Sequence, residues 1–173
     1  MKIVTKSNNI NTLKLLVSSN LAKQQMEVEY VSPAKDSKGI LPVLKVDGAK
    51  FVMPGPAAIF LLQEGGLLKD DDLHSLEALL EWERISLYPV MVTLLQHKQG
   101  GNKAIMNQLK ILLEVMETNM AKQEYLGGGS LSVVDVLVWS DVYPVMTDSR
   151  LKKEFSMMSK TFSWFERLAK HSF

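Results

Sequence analysis

Ser132 and Asp135 stand three residues apart at the head of a long apolar run. In a Ser-x-x-Asp spacing the hydroxyl accepts from the backbone N–H three residues on, while the carboxylate reaches back to the serine N–H, and a helix begins. Asp135 is an acid on paper, but this capping duty makes its role structural. His74, His97 and His171 are too scattered in sequence to form a zinc site and read as surface or cap residues. The chain has no cysteine, which excludes disulfides, thiolate metal sites and thiol nucleophiles. No catalytic, cofactor-binding or metal-binding constellation is therefore expected.

The elements that position Ser132 and Asp135 can be read outward from them. Tyr125 to Ser132 is glycine-rich and feeds the helix, and Pro144 limits it. Val133, Val134, Val136, Val138 and Val142 would by propensity form strand, so the capping chemistry and the β-propensity disagree. A helix apolar on nearly every face must be buried all round, which makes this one the expected central post of a helical domain.

With 173 residues and 46% hydrophobic content, the chain can build one domain or two small ones. No window approaches the roughly 18 uninterrupted apolar residues of a membrane helix, and the N-terminus lacks a signal-peptide pattern. An intracellular, cytoplasmic protein is expected. Twenty basic and nineteen acidic residues leave a net charge of +1, too little for strong nucleic-acid binding, which needs several phosphates neutralised at once.

Residues 2 to 6 read as a strand, and Asn9 or Asn11 can cap a helix carrying Ile10, Leu13, Leu16 or Val17, and Leu21. Glu27 to Val31 alternates and reads as a second strand. A polar loop with Pro33, Asp36, Ser37, Lys38 and Gly39 precedes Val43 to Val46, the turn Asp47-Gly48 and Lys50 to Met53, a hairpin signal. Ala57 to Gln63 looks helical and ends at Gly65-Gly66. Within it, Ile59 and Leu62 can pack on the sheet, which would turn Ala57 and Leu61 outward as an apolar patch, either a partner interface or a site covered by the second lobe. Beyond the linker Lys69 to Asp72, Leu73, Leu76, Leu80, Leu87, Met91 and Leu94 mark a long helix bent at Pro89. Ile105 to Met120 is amphipathic, and Phe162, Phe165, Leu168 and Ala169 share a face of the last helix. The expected fold class is α+β, an α/β lobe over 1–68 and an all-helical lobe over 72–173.

This order resembles the glutathione-transferase architecture, a thioredoxin-like lobe followed by a helical one. The likeness rests on Ile40-Leu41-Pro42-Val43-Leu44, Asp47-Gly48 and Ala58-Ile59, and on the Tyr125–Ser132 loop with its capping box. It implies a cis peptide at Leu41-Pro42, where sequence alone gives cis a prior of roughly 5–6%. More narrowly, Leu80-Glu81-Trp82-Glu83, Tyr88-Pro89, Tyr125-Leu126, Ser132, Asp135, Leu137-Val138-Trp139, Tyr143-Pro144 and Ser163-Trp164-Phe165 resemble the N-terminal glutathione-transferase-like domain of eukaryotic cytoplasmic methionyl-tRNA synthetases.

An active transferase of this fold needs a hydroxyl or thiol after the first strand and an acidic-or-glutamine plus serine pair before its third helix. Here that pair falls on Gly55 and Pro56, which carry neither hydroxyl nor carboxylate. Ser7 is the available hydroxyl, and a turn or capping role explains it more simply. Met157 to Thr161 resembles the Lys-Met-Ser-Lys-Ser loop of class I synthetases, yet no His-x-Gly-His partner occurs in the chain. The resemblance implies a non-catalytic docking domain without cofactor. It would tether a methionyl-tRNA synthetase to glutathione-transferase-like domains of a multi-synthetase complex or its scaffold, through Ala57 and Leu61. It would meet tRNA only indirectly and no membrane, and isolated copies could pair as homodimers. The alternatives are a small glutathione-dependent transferase using Ser7, and a free-standing scaffold protein of the complex. Continuation of the reading frame past Phe173 into a nucleotide-binding domain would separate the first reading from the last.

Overall fold

The computed structural model describes residues 1–7, 9–32, 41–96 and 103–171. The polar loop from Pro33 to Gly39, Ile40, His97 and the last two residues lie outside them. Two compact units divide at residue 70, Met1–Asp70 and Asp71–His171, inside the linker expected at Lys69 to Asp72.

The first unit orders β1 (Lys2–Thr5), α1 (Ile10–Leu21), β2 (Glu27–Tyr30), β3 (Val43–Val46), β4 (Ala49–Phe51) and α2 (Pro54–Glu64). The strands form one sheet in the order β2-β1-β3-β4. β1 is parallel to β2 and antiparallel to β3, and β3 is antiparallel to β4. Asp47 and Gly48 join β3 to β4 with φ of 45° and 87°, the left-handed pair that a two-residue hairpin turn requires. Ile3, Leu15, Leu44, Val46, Ala57 and Leu61 make the core, with Phe51 and Phe60 packed against it and their rings stacked at 4.7 Å. The helices α1 and α2 thus cover the sheet face that carries Ile3 and Leu44.

That packing departs from the expected phase of α2: Leu62 is buried as expected, but the rest of the pattern differs. Ala57 and Leu61 are 1% and 0% exposed and lie in the core, whereas Ile59 keeps partial exposure. The segment is apolar on every side, so periodicity could not choose its buried face. The helix also starts three residues before Ala57, because Pro54 and Pro56 have the fixed φ of a first turn and lose no needed donor there.

The second unit comprises α3 (Asp70–Trp82), a π-helical turn (Glu83–Leu87), α4 (Tyr88–Gln96), α5 (Lys103–Met120), α6 (Val133–Thr147), α7 (Ser149–Glu154) and α8 (Ser159–Ala169). Where a bend is expected, at Pro89, the helix is preceded by that wide turn. Tyr88 N–H bonds Glu83 O, five residues back, and the widening comes just before the proline whose missing donor and ring would crowd a regular turn. Leu76, Leu87, Met91 and Leu94 face inward.

Helix α6 is buried from Val133 through Val142 and again at Val145 and Met146. All of those positions are buried, Asp135, Ser140 and Asp141 included, as a helix apolar on nearly every face requires. It runs three residues past Pro144, which was expected to limit it, because Val145 and Met146 (0% and 3% exposed) hold the last turn in the core. Ser140 inside this helix satisfies its hydroxyl on Val136 O at 2.8 Å. Among the described residues no helix is long and apolar enough to cross a membrane.

Candidate functional site

The start of α2 is where a thioredoxin-like lobe of a transferase would hold its peptide cosubstrate. Met53, the N-cap, is extended and makes no side-chain cap bond, and Pro54, Gly55 and Pro56 fill the first turn. A hydroxyl or carboxylate is missing from all four side chains. The Leu41–Pro42 peptide nearby is cis, with Pro42 buried. Asn9 ties this bend to α1: its Nδ2 donates to Leu41 O at 3.0 Å while its Oδ1 accepts from Asn11 N at 3.0 Å. Ser7 sits in an exposed turn after β1. Thr5, at the strand's end, is fully buried, and its hydroxyl is shared with Thr12. A thiol-activating hydroxyl and a peptide grip are not brought together here.

What remains at that edge is apolar. Val52 and Met53 are 52% and 54% exposed. Pro56 is exposed and Ile59 half-buried, so Met53, Pro56 and Ile59 recur at three-residue spacing on the outward side of α2. Large side chains of this kind at the end of an edge strand fit a protein contact better than a small-molecule pocket.

In the second unit, Ser132 and Asp135 form the reciprocal capping box at the head of α6. Asp135 does more than the box requires. Its Oδ2 accepts from Ser132 N at 3.0 Å and from the Ser132 hydroxyl at 2.6 Å. Its Oδ1 accepts from Leu126 N at 2.7 Å and from Trp164 Nε1 at 2.8 Å. One fully buried carboxylate therefore joins the glycine-rich loop, the start of α6 and the indole of α8. A parallel tie runs from Trp139 Nε1 to Phe165 O at 3.0 Å, with the two rings stacked at 5.1 Å. Both carboxylate oxygens of Asp135 are thus engaged in tying these three segments together.

Glu117 is a functional group that sequence reasoning missed. Met158, the N-cap of α8, gives no side-chain cap bond. Glu117 on α5 supplies it instead, accepting from Lys160 N at 3.0 Å, Thr161 N at 2.8 Å and the Thr161 hydroxyl at 2.9 Å. Partial burial alone would raise its carboxyl, but the two backbone donors and the hydroxyl outweigh that and hold it below the ordinary value of 4.5. The cap is therefore in full strength above pH 4.5, and its contribution drains away as pH falls through the lowered value. Glu117→Ala should cost about 1 kcal/mol at neutral pH. Urea midpoints at neutral pH and at about pH 3 should show the gap between wild type and variant narrowing in acid. A gap that stays constant would mean that the charge contributes nothing.

These contacts place the loop-like Met157 to Thr161 segment in a structural role. Met157 is 90% exposed, while Met158 is buried and Thr161 donates its amide and hydroxyl to Glu117. His74 and His171 are each exposed.

Solved glutathione transferases are similar to this chain in structure. Poplar glutathione transferase F1 matches with a TM-score of 0.82 at 10% identity, covering 97% of this chain and 91% of that one. A glutathione S-transferase-like protein of Rhodopseudomonas palustris matches at 0.82 and 16% identity, covering 99% and 94%. The fold is that of the glutathione transferases. Within the glutathione-transferase fold, the sequence is similar to a different set of proteins. Cytoplasmic methionine–tRNA ligase of Xenopus laevis is 25% identical over 182 residues, 98% of this chain and 19% of the ligase. The mouse enzyme is 27% identical over 164 residues, 89% of this chain and 17% of the ligase. The chain thus spans under a fifth of the length of the curated relatives it matches. No protein-family model matches the chain.

Proposed function

We propose that this chain is a non-catalytic docking domain of a cytoplasmic methionyl-tRNA synthetase, tethering it to glutathione-transferase-like domains of a multi-synthetase complex. The observation that carries the reading is the first turn of α2. It keeps the glutathione-transferase backbone but presents Met53, Pro54, Gly55 and Pro56 where a peptide cosubstrate would need polar side chains. A fold retained without its binding chemistry, in a sequence similar to part of a methionine–tRNA ligase, supports recognition of proteins rather than of glutathione. Aminoacylation would belong to other parts of such a synthetase, and tRNA would meet this domain only indirectly.

Because Ala57 and Leu61 are committed to the core, the contact falls to the outward strip of Val52, Met53, Pro56 and Ile59. Met53→Glu should weaken binding to a purified glutathione-transferase-like domain of the complex at least about tenfold, since it puts a charge into a dehydrated contact. Its thermal melt should match wild type, because the position is exposed and a carboxylate suits a helix N-terminus. Calorimetry with glutathione on the wild type should find no sub-millimolar affinity. Equal partner binding by Met53→Glu would remove this strip as the docking face, and tight glutathione binding would restore the transferase reading.

A further inference from the structure

Strand β2 is one edge of the sheet, and among the described residues no strand lies on its outer side. Glu27 N donates to Met1 O at 3.2 Å and Val31 N to Thr5 O at 2.8 Å, so the odd-numbered residues of this stretch turn their backbone groups towards β1. Successive residues of a strand point their N–H and C=O to opposite edges. Val28 and Tyr30 therefore hold theirs towards the open side.

The two faces of this edge differ in chemistry. Val28 is in register with Ile3, a core residue beneath the helices, and on that same face Tyr30 is 64% exposed. Met26, the residue before β2, forms one wall of a cavity of about 360 Å³ that Leu13, Leu16 and Val17 of α1 also line. On the opposite face Glu27 and Glu29 each give one oxygen to Lys2 at 2.9 Å, and their side chains stay 69% and 45% exposed. A second copy of β2 laid along this edge would set glutamates against glutamates, which disfavours pairing between copies.

We propose that the β2 edge receives an extended segment of another protein whose residues alternate basic and apolar. The unpaired N–H and C=O groups of Val28 and Tyr30 are matched by the main chain of an added strand. Side chains of that strand fall alternately on the two faces. Cations then meet Glu27 and Glu29, while apolar groups meet Tyr30 and the cavity beside Met26. Strand β4, which leads into the apolar strip at the start of α2, is the other edge of the sheet. The proposal is thus independent of the docking reading above, and the two surfaces can be occupied together.

The probe is a blocked heptapeptide, Lys-Val-Lys-Leu-Lys-Val-Lys, followed by amide hydrogen exchange of the chain. At about 1 mM peptide, exchange at Val28 and Tyr30 should slow about tenfold, the protection given by a Kd near ~0.1 mM. The same peptide N-methylated at the amides that face β2 keeps its side chains and should give no protection. Val28→Pro should abolish the protection at Tyr30 while its thermal melt stays cooperative, since an edge strand accepts proline where the lost N–H points outward. Unchanged exchange at both amides would overturn the proposal, as would equal protection by the N-methylated peptide. Equal protection by a peptide with glutamate in place of every lysine would overturn the choice of a basic segment.

Discussion

Asp135→Ala is expected to cost on the order of 3–5 kcal/mol, the range for removing one partner from a buried charged network. The loss is large because four donors from three separate pieces of chain converge on one carboxylate: two from Ser132, one from Leu126 and one from Trp164. Truncation leaves the Leu126 amide and the Trp164 indole N–H buried without an acceptor. Ser132→Ala removes the hydroxyl of the same box and should cost only about 1 kcal/mol. The double variant should cost less than the sum, since the Ser132 hydroxyl is bonded to the group that Asp135→Ala removes. Urea midpoints of the two single variants and the double measure this. Strict additivity, or a loss at Asp135 no larger than at Ser132, would mean that the carboxylate does not organise the three segments.

Leu61→Glu should leave the first unit unfolded. Leu61 is fully buried among Ile3, Leu15, Leu44 and Val46, where an unpaired carboxylate costs several kcal/mol or must stay protonated. A domain of ordinary stability has about 5–15 kcal/mol in total, and this unit is small. Leu61→Ala, which only opens a cavity, should be milder, at roughly 2–5 kcal/mol. Circular dichroism melts distinguish the outcomes. A cooperative wild-type-like melt for Leu61→Glu would return this side chain to the surface.

The contrast between Asp135 and Leu61 shows what the sequence could and could not disclose. The capping box spans three residues, so its spacing is visible in the chain, as is the Asp47-Gly48 turn. The other half of the Asp135 network comes from Leu126 and Trp164, 9 and 29 positions away, and nothing local announces an indole that donates across the unit. Glu117 reaches 43 positions to cap α8, and its signal was the negative one that Met158 cannot cap. Helix α2 failed for a different reason. Its pattern is apolar all round, so propensity and period fix that a helix forms but not which side the core claims. Pro89 announced an irregularity, and only packing decided that it would be a π turn.

Size-exclusion chromatography with light scattering on equimolar mixtures reports directly on docking. The chain, 19.4 kDa alone, is combined in turn with purified glutathione-transferase-like domains of synthetase-complex proteins. The docking reading predicts that at least one mixture elutes as a single species with the summed mass of one chain and one partner. Mixtures that all separate into their unmixed components would contradict it.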